Sequence, residues 1–197
     1  MIRAVLFDFY GVWLPDIFEN YLQEARQHGP QAVAELEAAA NDYFHGRIDV
    51  QEIAGRFRYK LSRMDIETSQ FLLDEHSISP VIVDFMRELH GHFVKLGVLA
   101  NLGAQELRIL SDFNSHNQVF EVIGAPLAFR SDKPLLSNEV FAQALQAIGE
   151  PPANCLVISG NQAYLDYATG LGMTALPFQG LPALRDGLSQ LLSSETA

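Results

Sequence analysis

Cysteine is almost missing from this chain. The single Cys155 excludes an internal disulfide and a cysteine-based metal cluster. It lies in the apolar run Cys155-Leu156-Val157-Ile158, so a buried, inert thiol is expected. Basic residues are scarce: 13 Lys and Arg stand against 24 Asp and Glu, for a formal net charge of −11. They cluster in no window, and a nucleic-acid partner would need a basic face to neutralise phosphates. No apolar run is long enough to cross a bilayer, and the first residues hold no signal-peptide-like stretch. A cytoplasmic protein with no membrane and no nucleic-acid partner is expected. Internal repeats and low-complexity tracts are absent. Apolar residues are plentiful: they make up 48% of 197 residues, enough for a mid-sized core with a small insertion.

Five apolar runs read as strands: residues 2–7, 93–99, 120–123, 155–158 and 174–177. Each is short, almost continuously apolar and β-branched, the pattern of strands covered on both faces of a parallel sheet. Helical stretches separate the later runs, at residues 80–91, 105–112, 138–149 and 164–172. In the third, Val140, Phe141, Ala144, Leu145 and Ile148 form a 3.6-residue stripe closed by Gly149 and Pro151. Alternating strand and helix predicts a doubly wound α/β sheet.

The first strand does not lead straight to the first of these helices. Residues 13–79 intervene and read as all-helical. An amphipathic stretch carries Phe18, Tyr21, Leu22 and Ala25, Gly29-Pro30 breaks it, and an alanine-rich stretch follows. Asp49 then stands three residues before Glu52, a capping-box signature. The domain division expected is a core of residues 1–12 and 80–197 with a helical cap of residues 13–79.

The richest chemical signal is at the end of the first strand. The run Ile2-Arg3-Ala4-Val5-Leu6-Phe7 ends in Asp8, and Phe9-Tyr10-Gly11-Val12 follows at once. Open α/β sheets bind ligands at the carboxyl ends of their strands. Gly11 suits an abrupt turn. Three later places fit the same site: Ala100-Asn101 after the second strand, Lys133-Pro134 before the 138–149 helix, and Ser159-Gly160-Asn161 after the fourth strand. Together these four stations resemble the haloacid dehalogenase (HAD-like) superfamily across nearly the whole chain. The resemblance implies a Rossmann-type core with a cap after strand one. It makes Asp8 a nucleophile that forms an ester intermediate and Lys133 the neutraliser of charge, and lets Tyr10, Asn101, Ser159 and Asn161 contact substrate.

Several positions depart from the superfamily's phosphatases. Tyr10 replaces their second aspartate and Ala100 their hydroxyl. Ser159 and Tyr164 stand where two later acids would hold magnesium. Asp166 lies roughly 200° around a helix from the second of these, and so points elsewhere. Tyr10 and Ser159-x-Asn161 agree with the dehalogenase branch. Val12, Ala100 and Tyr164 do not. A hard divalent cation wants several oxygen ligands, more than one of them usually carboxylate, so no metal and no other cofactor is expected. Without a metal, a dianionic phosphate near Asp8 would meet roughly 4 kcal/mol of repulsion per unit pair at about 4 Å and an effective dielectric near 20.

Two readings remain. One is a metal-independent hydrolase acting through Asp8 on a small anionic molecule such as a 2-haloacid, its carboxylate clamped by one of Arg26, Arg47, Arg56 or Arg58. The other is a catalytically inactive binding or regulatory module on the same fold. A magnesium-dependent phosphatase ranks below both. Phe9, Tyr10 and Trp13 either wall the pocket or simply pack.

Overall fold

The period of two within strand one divides the core. In the computed structural model, β1 (Ala4–Phe7) is fully buried. Val5 and Phe7 point to one face, Ala4 and Leu6 to the other. The structure describes residues 1–9, 11–13, 17–44, 47–49, 52, 55–56, 80–91, 94–99, 104–123 and 138–194. Tyr10, Ala100, Asn101, Lys133 and Arg58 lie outside them.

After β1 come α1 (Ile17–Gln27), α2 (Pro30–Phe44), α3 (Pro80–Gly91) and β2 (Lys95–Val98). Then follow α4 (Ala104–Asn117), β3 (Val122–Ile123), α5 (Asn138–Ile148) and β4 (Cys155–Ser159). The chain continues with α6 (Gln162–Gly170), β5 (Thr174–Pro177) and α7 (Leu181–Ser194). The five strands form one parallel sheet in the order β3-β2-β1-β4-β5. The α/β class, the parallel sheet and the helical insert after strand one are as the sequence predicts.

Each face of the sheet has its own helices. Val5, Phe7, Leu96, Val98, Leu156 and Ile158 pack with Phe85 and Met86 of α3, Leu110 of α4 and Leu184 of α7. On the opposite face Ala4, Leu6, Cys155 and Val157 pack with Phe141 and Ala144 of α5 and Ala168 of α6. The element edges differ from the sequence reading in ways that hydrogen bonding explains. Strand β2 ends at Val98, although Leu99 still donates its N–H to the Phe7 carbonyl at 2.8 Å. Helix α4 runs five residues past position 112, to Asn117, where the Asn114 carboxamide accepts the N–H groups of Val119 and Phe120 and turns the chain. Helix α6 starts two residues before position 164, because Asn161 caps it.

In the insert, α1 and α2 pack together through Tyr21, Ala25, Ala32 and Leu36. The Glu52 N–H donates to Asp49 Oδ1 at 2.8 Å, as the capping signature requires. Arg47 pairs with Asp42 at 2.8 Å and Arg56 with Glu52 at 2.7 Å, so both arginines spend charge within the insert.

Cys155 is completely buried, and burial pushes its thiol up to about 11, with the Glu150 charge adding to the shift. At pH 8 only ~10⁻³ of it is thiolate, against ~10⁻¹ for an exposed thiol. Labelling by an aromatic disulfide is therefore expected to be at least ~10²-fold slower in the folded protein than in denaturant. The native state holds this proton longer than the unfolded chain does. Its linkage leaves stability untouched below about pH 9 and lowers it as pH rises from there toward about 11. Fast stoichiometric labelling without denaturant would contradict the buried placement.

Candidate active site

Asp8 follows β1 directly and continues its pairing. Its N–H donates to the Ile158 carbonyl of β4 at 2.9 Å. The chain fills the sheet from β1 toward β3 on one side and then from β4 toward β5 on the other, so the order reverses between β1 and β4. Ligand crevices of open α/β sheets form at such a reversal. Asp8 and Ser159 sit on the two strand ends that border it.

The turn after Asp8 is tight. Trp13 N–H donates to the Phe9 carbonyl at 2.8 Å, and Gly11 adopts φ +77°. A side chain there would be strained. The turn after β4 meets it closely: a Cβ on Gly160 would lie 3.8 Å from the Gly11 carbonyl oxygen. That is ordinary van der Waals contact, so the two strand-end turns lie side by side, and the pairing of β1 with β4 keeps Asp8 and Ser159 adjacent.

Both carboxylate oxygens of Asp8 have donors. Oδ1 accepts the Phe9 N–H at 2.8 Å, and Oδ2 accepts the Ser159 hydroxyl at 2.6 Å. The Ser159 oxygen in turn accepts the Asn161 N–H at 3.0 Å. A backbone donor just ahead of α6 is thereby relayed through one hydroxyl to the carboxylate. Ser159 is 0% exposed and Asp8 only 9%, so little water competes for these bonds. A hydrogen bond to a charged group in such surroundings contributes about 1.5–3 kcal/mol.

Asn161 is exposed, and its side-chain oxygen is the N-cap of α6, accepting the Ala163 N–H at 2.9 Å. Sequence reasoning assigned this residue to substrate and missed the cap. The signal was available: an Asn directly before a helical stripe is a standard start signal.

Tyr164 lies in the first turn of α6, buried, with its ring 6.5 Å from that of Phe141. Burial pushes its phenol well above the ordinary tyrosine range, and the Asp8 charge raises it further. Asp166 is exposed and accepts the Gln162 amide at 2.8 Å, as the helical geometry predicted. Phe9 and Trp13 are buried, and Trp13 packs against Phe113 and Phe120 at 5.8 and 5.1 Å. Packing is therefore the role of these two aromatics.

Among the described residues the donors do not make a cage for a hard divalent cation. Asp8 is the one carboxylate that the described site supplies, and both of its oxygens already face protons. Ser159 points its hydroxyl proton at Asp8, and the Tyr164 phenol is held neutral. Among the described residues no group of three His, Cys, Asp or Glu could hold a metal.

No protein-family model matches the chain, and no curated protein matches it. Solved structures do. A "predicted HAD-like family hydrolase" from Porphyromonas gingivalis is 20% identical, with 98% of each chain covered and a TM-score of 0.60. A HAD family enzyme from Bacteroides thetaiotaomicron, in complex with magnesium and inorganic phosphate, is 18% identical over 90% of this chain and 94% of that one, with a TM-score of 0.57. A structure described as a dehalogenase is 18% identical over 92% and 87%, with a TM-score of 0.59. The chain therefore has the HAD-like fold. At these identities the likeness speaks to the fold alone.

Proposed function

We propose that this chain is a metal-independent HAD-like hydrolase that uses Asp8 as nucleophile on a small anionic substrate such as a 2-haloacid. The observation that carries the reading is the pair of neutral donors on Asp8, from Phe9 N–H and Ser159 O–H. They orient the carboxylate without adding a charge of their own. A second carboxylate there would have called for a cation.

Displacement at carbon suits such a site. A 2-haloacid brings one negative charge, remote from the attacked carbon, and needs no metal. Lys133 offsets charge in this reading, and Tyr10, Asn101 and Asn161 contact substrate. The core of residues 1–12 and 80–197 carries the chemistry, and the cap of residues 13–79 covers it. The candidates for a carboxylate clamp from the cap are Arg26, Arg47, Arg56 and Arg58.

A second reading has its own support. The buried, neutral Tyr164 in the first turn of α6 is what a binding module without catalysis would tolerate.

One screen separates these. Halide release from 2-haloacids and hydrolysis of an aryl phosphate are measured with and without magnesium, beside Asp8→Asn. The hydrolase reading expects halide release from the wild type, unchanged by magnesium, and none above buffer background in Asp8→Asn. Equal background in both proteins favours the binding module. Phosphate release that requires magnesium would overturn the metal-independent reading.

A further inference from the structure

We propose a second activity for the pair at the strand ends: Ser159 is the nucleophile and Asp8 the base in cleaving small carboxylic esters. This goes beyond the haloacid reading, because the two residues exchange roles.

Two observations carry it. Ser159 Oγ lies 2.6 Å from Asp8 Oδ2 and points its proton there. The carboxylate is itself oriented, since Oδ1 accepts the Phe9 N–H at 2.8 Å. A hydroxyl within reach of a base, with the base held by a third group, is the arrangement that activates a serine. The other observation is where the serine stands. It is the last residue of β4, and α6 starts three residues later at Gln162. A strand-to-helix turn at the carboxyl edge of an α/β sheet suits a nucleophile, and the positive end of the helix favours negative charge developing there. The Asn161 N–H reaches Ser159 Oγ at 3.0 Å, so the backbone leading into α6 already faces the attacking oxygen.

The electrophile decides which of the two residues attacks. At a saturated carbon bearing halide, the carboxylate displaces directly. At an ester carbonyl, carboxylate attack would give an anhydride, far higher in energy than the ester it came from. A hydroxyl gives another ester of nearly equal energy, so acyl transfer falls to Ser159. Its Oγ bonds the carbonyl carbon while its proton passes to Asp8 Oδ2. The bond to the alcohol oxygen breaks, and that oxygen takes the proton. Water then adds to the acyl-serine and gives one proton to Asp8. Oγ leaves, recovers that proton, and a carboxylic acid is released. Water is the one co-reactant.

Burial and charge set the substrate. Ser159 is 0% exposed and Asp8 9%, which restricts the acyl group to a small one. The next residue, Gly160, is exposed and carries no side chain to bar its approach. The Asp8 charge beside the reacting carbon favours a neutral acyl group over an anionic one.

The test uses p-nitrophenyl acetate as substrate and methanesulfonyl fluoride as trap. Serine attack on the trap forms an O–S bond, expels fluoride and leaves a stable added mass that a peptide map can place. Wild type, Ser159→Ala and Asp8→Asn are compared, with folding checked by circular dichroism. Wild type is expected to release p-nitrophenolate at least about 10²-fold faster than either variant. The sulfonyl mass should map to the peptide holding Ser159 and form at least about 10²-fold more slowly in Asp8→Asn. Release by wild type no faster than by Ser159→Ala overturns the proposal. So does a trap that labels only other residues. Equal labelling of Ser159 in wild type and Asp8→Asn overturns the role of Asp8 as base. If Ser159→Ala does not fold, the wild-type label and its dependence on Asp8 decide. Halide release is read in a separate assay, so failure here leaves the haloacid reading standing, and its failure leaves this one.

Discussion

Phe141→Ala is expected to cost about 3–5 kcal/mol of stability, the usual range for emptying a large aromatic site in a core. In a chain of this size each kcal/mol moves Tm by about 2–4 °C, so Tm should fall by roughly 10 °C. The reason is position. Phe141 is completely buried on the sheet face that holds Ala4, Leu6, Cys155 and Val157. Its ring also lies 5.2 Å from Tyr167 and 6.5 Å from Tyr164, so one side chain ties α5 to α6. Neighbouring helices fixed at both ends collapse poorly into the space left. Phe113→Ala is the comparison. That ring is half-buried beside Trp13 and should cost less. Thermal unfolding of both variants checks the order. Equal losses would mean that the Phe141 site relaxes, or that the two helices are held by other contacts.

The stripe that carries Phe141 also shows why the fold was legible. Residues 138–149 repeat at helical spacing and end in Gly149-Glu150-Pro151, and α5 runs over Asn138–Ile148. The strands were readable for the opposite reason. Residues 155–158 are apolar without alternation because helices cover both faces of the sheet, so neither face exposes a polar set. Boundaries were less legible, because they depend on single hydrogen bonds. Asn161 decides where α6 begins, and a periodicity argument that counts back from Gly172 passes over it. The site was half legible. Asp8 stood out because a charge at the end of a buried strand conflicts with its surroundings unless something holds it. Its holder, Ser159, sits 151 positions away in the chain, and its proton reaches Asp8 only because two strands pair in register. Spacing alone could place the serine near the site. It could not say that the hydroxyl would donate to Oδ2. Whether Phe9 and Trp13 wall a pocket or pack could not be read from residue type at all, since an aromatic next to a turn suits both. That question turned on α4, whose Phe113 covers the indole.

Ser159→Asp is expected to be the most damaging single change at the site, by about 3–5 kcal/mol at neutral pH. That is the range seen when a buried charge is left uncompensated. The wild-type hydroxyl lies 2.6 Å from Asp8 Oδ2 and is fully buried. A carboxylate in its place would face Asp8 at roughly 3 Å, where two like charges repel by about 5 kcal/mol even at an effective dielectric near 20. The pair can escape only by sharing a proton. The folded variant would then bind a proton that two unfolded aspartates release above about pH 4. Since the native state binds more protons, stability must fall as pH rises, by at most about 1.4 kcal/mol per unit. The variant should therefore lie closest to wild type near pH 5 and furthest near pH 8. Ser159→Ala loses the same hydrogen bond without adding charge, so it should cost about 1.5–3 kcal/mol and show no such slope. Magnesium supplies the last arm. If Ser159 is what lets the site work without a cation, millimolar Mg²⁺ should raise the Tm of Ser159→Asp and leave wild type unmoved. A wild type that itself gains stability saturably from Mg²⁺, and loses that gain in Asp8→Asn, would mean that a cation binds at Asp8 despite the serine.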